Sequence, residues 1–209
     1  MPNPPAPAVA ERLSLSGTTL RIDGYEYDLA AYEDVYLLGG GNAAGVLAAA
    51  LEDILGAHLT AGAVVTDNPV ETDHVEVLLG DHPVPSERAV ESTRTVLECA
   101  KRGGPEDLII GAITGGGSAP LAAPADGLDI EALQATTEAV LASGADIGEF
   151  SAIRKHCSAI KGGHLARAAH PATDVGLLVS DVTGNRLDII ASGPLTPDSS
   201  TYSTRSALA

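Results

Sequence analysis

Residues able to do chemistry gather in a few short stretches of this 209-residue chain. In Thr114-Gly115-Gly116-Gly117-Ser118-Ala119, consecutive glycines let backbone N–H groups converge on an anion, and the Ser118 hydroxyl can add a donor. Such a loop suits a phosphate or a carboxylate, although the same glycines would also serve a sharp turn with no ligand. An earlier loop, Gly39-Gly40-Gly41-Asn42-Ala43-Ala44-Gly45, comes close to the dinucleotide fingerprint G-x-G-x-x-G/A through Gly39, Gly41 and Ala44. Asp67, after Ala63-Val64-Val65-Thr66, stands where that fingerprint expects a ribose-binding acid. A nicotinamide-dependent oxidoreductase is therefore one alternative.

Cations are the second signal. The stretch Ser151 to Gly163 holds Arg154, Lys155 and Lys161, and Lys101 is the only other lysine in the chain. Cations grouped before paired glycines suit phosphate or carboxylate oxygens, Arg154 as a bidentate fork and the lysines as point charges. A surface ion-pair cluster is the competing reading, and His156 would serve a structural hydrogen bond as readily as proton transfer. Downstream lie Ser180-Asp181-Val182-Thr183-Gly184-Asn185 and Ile190-Ala191-Ser192-Gly193-Pro194. An Asp at a strand end, as Asp181 would be, can hold Mg²⁺ or take a proton from a hydroxyl, and it can equally cap a turn. His82-Pro83-Val84-Pro85 is a rigid turn, read either as the start of a helix or as part of a ligand site.

The elements that would carry these residues alternate along the chain. Val35 to Leu38 is an apolar strand ending in the first glycine loop, and Val46, Leu47, Ala50, Leu51, Ile54 and Leu55 then fall on one helical face, with Gly56 as a stop. Ala63 to Val65 and Val75 to Leu79 read as strands. Ser86 caps a helix running to about Lys101. Leu108 to Ile113 is a further apolar strand that ends in the second glycine loop. Helices follow over Asp129 to Ala142 and, in pieces, over Ile147 to Ala169, and Val175 to Val179 reads as the last buried strand. Strands apolar at every position, separated by helices, predict an α/β fold with a mostly parallel sheet covered on both faces. Both glycine loops then lie beyond carboxyl ends of strands, where such sheets bind ligands. Leu20 to Tyr27 alternates like a small surface hairpin at the edge of the fold.

Composition narrows the function classes. Asp plus Glu number 28 against 12 Lys plus Arg, a net charge of −16, which repels nucleic acid and anionic membranes and argues against both as partners. Acidity combined with avoidance of lysine suggests a halophilic, salt-adapted surface. Cys99 and Cys157 have no metal-ligand spacing and read as reduced thiols of a cytoplasmic protein. Residues 1–19 read as a flexible segment, and no apolar run reaches membrane-spanning length.

Five stretches in order resemble one family. Gly41 to Gly45, Gly80-Asp81-His82-Pro83-Val84-Pro85, Thr114 to Ala119, Ile153 to Gly163, and Ser180-Asp181-Val182 with Ile190 to Pro194 are similar to the glycerate kinases whose second half carries the MOFRL domain. The resemblance implies a Rossmann-like N-terminal domain over 20–209, ending before a smaller C-terminal domain, with the active-site cleft between the two. It implies phosphorylation of D-glycerate by ATP with Mg²⁺, 2-phosphoglycerate being the favoured product. On that reading Gly40, Gly41, Asn42, Gly115, Gly116, Gly117, Ser118 and Ser192 bind substrate or phosphate, Arg154, Lys155 and Lys161 supply positive charge, and Asp181 is the metal or hydroxyl partner. Where the family commonly has a catalytic lysine this chain has Asn42, a hydrogen-bond donor without charge. Asn42 and the early end of the chain keep a non-catalytic, ligand-binding module as a second alternative. The oligomeric state is left open.

Overall fold

The computed structural model describes residues 12–201. The expected flexible segment lies outside the described residues up to residue 11. From Leu13 the chain is already in strand. β1 (Leu13–Ser16), β2 (Thr19–Ile22) and β3 (Tyr25–Asp28) form an antiparallel sheet. Asp23 and Gly24 take φ of 47° and 90°, the left-handed conformation that a two-residue hairpin turn needs. The sheet is more than the edge hairpin expected from Leu20 to Tyr27. Leu13, Leu20 and Ile22 are buried and belong to the main apolar cluster, because alternate residues of a strand share one face.

β4 (Val35–Gly40), β5 (Ala61–Thr66), β6 (Val75–Leu79), β7 (Leu108–Thr114) and β8 (Thr173–Val179) form a second sheet in the order β6-β5-β4-β7-β8. Every pairing in it is parallel. β4 and β7 are buried at all positions, as their unbroken apolar runs require. β8, expected as a buried strand, is only half-buried. It pairs on one side alone, and an apolar run reports coverage of the two faces without reporting which strand ends the sheet.

Helices cover both faces. α1 (Ala44–Leu55) ends at Gly56, α2 (Glu87–Ala100) starts where Ser86 Oγ accepts from the Ala89 N–H at 3.2 Å, and α3 (Ile130–Ser143) starts where Asp129 accepts from the Ala132 N–H at 2.8 Å. α4 (Ile147–His156) opens with a reciprocal capping box between Asp146 and Glu149, and α5 (His164–Ala169) follows after a break. Leu47, Leu51 and Leu55 of α1 join the small antiparallel sheet against Leu37, Val64 and Ile110. Val96 and Ala100 of α2, with Leu165 of α5, cover Leu38, Val65 and Ile109 on the opposite face. The Rossmann-like α/β architecture is as expected. After β4 the chain builds outward to β6, then returns to place β7 on the other side of β4. Connections leave β4 and β7 in opposite directions, which opens a crevice between their carboxyl ends.

If the antiparallel sheet belongs to the core, Leu20→Ala should lower unfolding free energy by about 2–5 kcal/mol in urea titrations. A loss of only a few tenths would return Leu20 to the surface role of an edge hairpin.

Candidate functional site

The crevice is lined by the two glycine loops, and hydrogen bonds between them decide which one faces a ligand. Gly41 has φ +135°, and a Cβ there would overlap Thr114, so the position admits only glycine. The N–H of Gly41 donates to Val65 O (2.9 Å), that of Asn42 to Gly115 O (3.0 Å) and that of Ala43 to Thr114 Oγ1 (3.1 Å). Thr66 Oγ1 donates to Asn42 O at 3.2 Å. The N–H groups of Gly41, Asn42 and Ala43, and that of Ala44, which donates to Gly41 O (3.1 Å), are thus engaged within the protein. By contrast, among the described residues the N–H groups of Gly116, Gly117 and Ser118 have no hydrogen-bond partner. Three successive N–H groups without partners on one turn are the kind of cradle that can receive an oxyanion.

Side chains close on this cradle from several sides. A Cβ on Gly116 would strike the Asn42 amide, and one on Gly115 would strike the Asp181 carboxyl group. Both side chains therefore lie directly over the loop backbone, and both residues are exposed. Gly40 ends β4 beneath them, its carbonyl close to Gly117. Ser118 Oγ and Ser192 Oγ are 2.9 Å apart. Ser192 belongs to a left-handed run, Ala191 (φ 50°), Ser192 (φ 62°) and Gly193 (φ 62°), and each of the two non-glycine members costs about 1–2 kcal/mol. Strain of this kind collects at functional sites, where surrounding contacts impose it.

Arg154 and Lys161 meet at the other side of Ser118. Together with Pro85, Leu133 and Thr137 they line one small cavity. The Arg154 guanidinium lies 3.9 Å above the Phe150 ring, and burial lowers its pKa to about 10. Lys161 is 2% exposed and its ammonium donates to Leu121 O. Burial, then the charge of Arg154, push its pKa down to about 7. Pro85 comes from the turn that the sequence left undecided, and it now stands in this cavity. Thr137 and Leu133 were missed, since a helical Thr and Leu on α3 carry no sign that they face cations from α4.

Lys155 is placed elsewhere. Successive helical residues point about 100° apart, and while Arg154 faces the cavity, Lys155 Nζ lies between Asp188 Oδ2 (3.2 Å) and Asp198 Oδ1 (3.4 Å). Burial alone would raise both carboxyl groups. Hydrogen bonds from Arg186 and Lys155 to Asp188, and from Ser200 and Lys155 to Asp198, outweigh it and hold both below the usual carboxylate range. Neither aspartate had been singled out, because their sequence distance from Lys155 gives no hint of the pairing. His156 Nε2 lies 3.4 Å from Ser200 Oγ. Among the described residues no group of three or more His, Cys, Asp or Glu side chains could hold a metal ion.

Fold and crevice together define a Rossmann-like α/β domain whose glycine loops line a crevice at its topological switch point. A family profile described as "Domain of unknown function (DUF4147)" matches residues 3–209, and the chain belongs to that family. D-glycerate 2-kinase of Thermotoga maritima is 42% identical over 172 residues, 80% of this chain and 41% of that protein. An Agrobacterium vitis protein, provisionally named hydroxypyruvate reductase, is 40% identical over 174 residues, 82% of this chain and 40% of its own length. A crystal structure of a Pyrococcus horikoshii protein superposes with a TM-score of 0.90 at 34% identity, covering 98% of this chain and 46% of that one. The chain spans less than half the length of these relatives, and the resemblance to glycerate kinases read from the motifs is borne out.

Lys161 supplies a test of the site's electrostatics. Its proton is held up to a pKa of about 10.5 in the unfolded chain and only about 7 in the fold. Between those values the unfolded state binds the extra proton, so stability rises with pH across the window. Lys161→Met removes this dependence. The stability of the variant relative to the parent should therefore be greatest at and below pH 7 and decline toward pH 10, followed by urea unfolding. A difference independent of pH would show that Lys161 keeps its proton when folded.

Proposed function

We propose that this domain carries the oxyanion-binding part of an ATP-dependent D-glycerate kinase, with 2-phosphoglycerate as product. The observation that carries the reading is the cradle of unengaged N–H groups at Gly116, Gly117 and Ser118 beside Arg154 and Lys161. Its support from kinship is the T. maritima relative, named D-glycerate 2-kinase. Phosphoryl transfer requires mainly that a hydroxyl be positioned and that charge on the transferring group be neutralised. The N–H cradle and the Ser118 and Ser192 hydroxyls bind phosphate or carboxylate oxygens. Arg154 provides a planar fork and Lys161 an ammonium whose pKa, near neutrality, keeps its charge responsive to a bound anion. Asp181 accepts the proton of the attacking hydroxyl or holds Mg²⁺. One exposed carboxylate fits Mg²⁺, which takes few protein ligands and completes its shell with phosphates and water. That ion would neutralise phosphate charge. Asn42 contributes an amide over Gly116.

The oxidoreductase reading draws on the provisional name of the A. vitis relative. Against it, the N–H groups of Gly41, Asn42 and Ala43 are already bonded to Val65, Gly115 and Thr114, which leaves a dinucleotide pyrophosphate only the N–H groups of Gly45 and Val46 at the start of α1. A reduced cytoplasmic setting goes with the proposed function, since Cys99 and Cys157 are both unpaired.

In a coupled assay of the protein carrying this domain, ADP release should depend on both D-glycerate and Mg²⁺, and Arg154→Ala should lower kcat/KM by about 100-fold or more. Wild-type kinetics in the variant would remove Arg154 from the site, and ATP binding without turnover in the parent would favour a ligand-binding module. The salt-adapted surface has its own check: with a net charge of −16, the melting temperature should rise between dilute buffer and about 1 M KCl as self-repulsion is screened. An unchanged melting temperature would end that idea.

A further inference from the structure

The cation that does not reach the cavity points to a second task for α4. Segment 188–198 presents Ser192 to Ser118 and lays the Ala191 side chain against Gly117. Its backbone is strained, with left-handed φ at Ala191, Ser192 and Gly193 in succession. Something must hold it in that shape. Four hydrogen bonds from the α4–α5 break and the start of α5 hold its middle: the N–H of Gly162 donates to Ser192 O (3.1 Å), that of Gly163 to Gly193 O (2.8 Å), and those of Leu165 and Ala166 to Pro194 O (3.1 and 3.4 Å). Its two ends carry Asp188 and Asp198, and both carboxylates converge on the ammonium of Lys155, a residue only 3% exposed.

We propose that Lys155 is a positioning residue that ties together the two ends of segment 188–198 and so holds Ser192 in register with the Gly116–Ser118 cradle. The kinetic part of this proposal rests on the kinase reading above; the structural part does not. The two ends are not equally dependent on Lys155. Asp188 is also bound by Arg186 through Nε (3.2 Å) and Nη2 (2.9 Å), whereas the other partners of Asp198 are chiefly the N–H and hydroxyl of Ser200, close beside it in sequence. Loss of the ammonium therefore releases the Asp198 end first. Arg154 precedes Lys155 on the same helix, so one turn of α4 both presents a cation to the cavity and anchors the loop that closes on it.

The test compares Lys155→Met, which keeps length without charge, with Lys155→Arg, which keeps charge. Amide exchange by NMR on the full 209-residue chain reads the Gly162 and Gly163 N–H groups directly, with the amides of β7 as the measure of global stability. Lys155→Met should speed exchange at Gly162 and Gly163 by about tenfold or more while β7 is unaffected, and Lys155→Arg should restore most of the protection. In the glycerate assay Lys155→Met should lower kcat by about 10- to 100-fold and leave the KM for ATP within about twofold, again with recovery in Lys155→Arg. Unchanged exchange at the two glycines in Lys155→Met overturns the proposal. So does equal loss of kcat in both variants with parental exchange, which would mean that the ammonium touches the reactants. Should Lys155→Met fail to fold, Asp198→Asn decides by the same exchange measurement, with protection at Gly162 and Gly163 equal to the parent's counting against the clamp. Absence of glycerate-dependent turnover in the parent would overturn the kinase reading alone and leave the exchange result standing.

Discussion

The hydrogen bonds that join the two glycine loops govern the rest of the site. Thr114, at the end of β7, accepts the Ala43 N–H at its hydroxyl, and its side chain occupies the space a Cβ on Gly41 would need. Asn42 N–H is bonded to Gly115 O one residue further on. One loop thus uses the N–H groups of Asn42 and Ala43 to brace the other, while those of Gly116, Gly117 and Ser118 have no partner among the described residues.

Charge is handled by burial as much as by number. The chain carries a net charge of −16, which at long range repels anionic substrates as well as nucleic acid. Two of its three lysines, Lys155 and Lys161, are nonetheless nearly enclosed, at 3% and 2% exposure. Beyond roughly 8 Å the surface field is damped at physiological ionic strength, so an anion in the crevice is governed by the cations beside it. Those cations differ in partner. Lys161 is buried beside an arginine, which makes its proton labile, and it donates to a carbonyl. Lys155 lies between two carboxylates, which make it a structural tie.

Strain and support are matched in the segment carrying Ser192. A left-handed Ala-Ser pair would relax on its own. It persists because the carbonyls of Ser192 and Gly193 accept from Gly162 and Gly163, which themselves have φ of 62° and 82°. The break between α4 and α5 is therefore an acceptor-facing turn shaped to receive the Ile190–Ser192 turn, and the two motifs that stand far apart in sequence are one structural unit.

Periodicity and residue type were enough for much of this protein. Unbroken apolar runs at 35–38 and 108–113 announced the two central strands, Ser86 and Asp129 announced helix starts, Gly56 a helix end, and the scarcity of lysine made Arg154, Lys155 and Lys161 conspicuous. These features are local: a run, a cap or a rare residue is visible within a few positions of itself. What required tertiary structure was every decision that depends on a partner distant in the chain. β8 became an edge because strand order is set by which strands find one another. Leu13 and Leu20 became core because α1 lies beneath them. Gly116 to Ser118 kept unpaired N–H groups while Asn42 and Ala43 bonded to the adjacent Gly115 and Thr114. Lys155 and Lys161, six residues apart and alike in sequence terms, were assigned opposite roles by the groups that burial brought against each ammonium. Burial makes a charge depend on its nearest neighbours, and those neighbours are chosen by the fold.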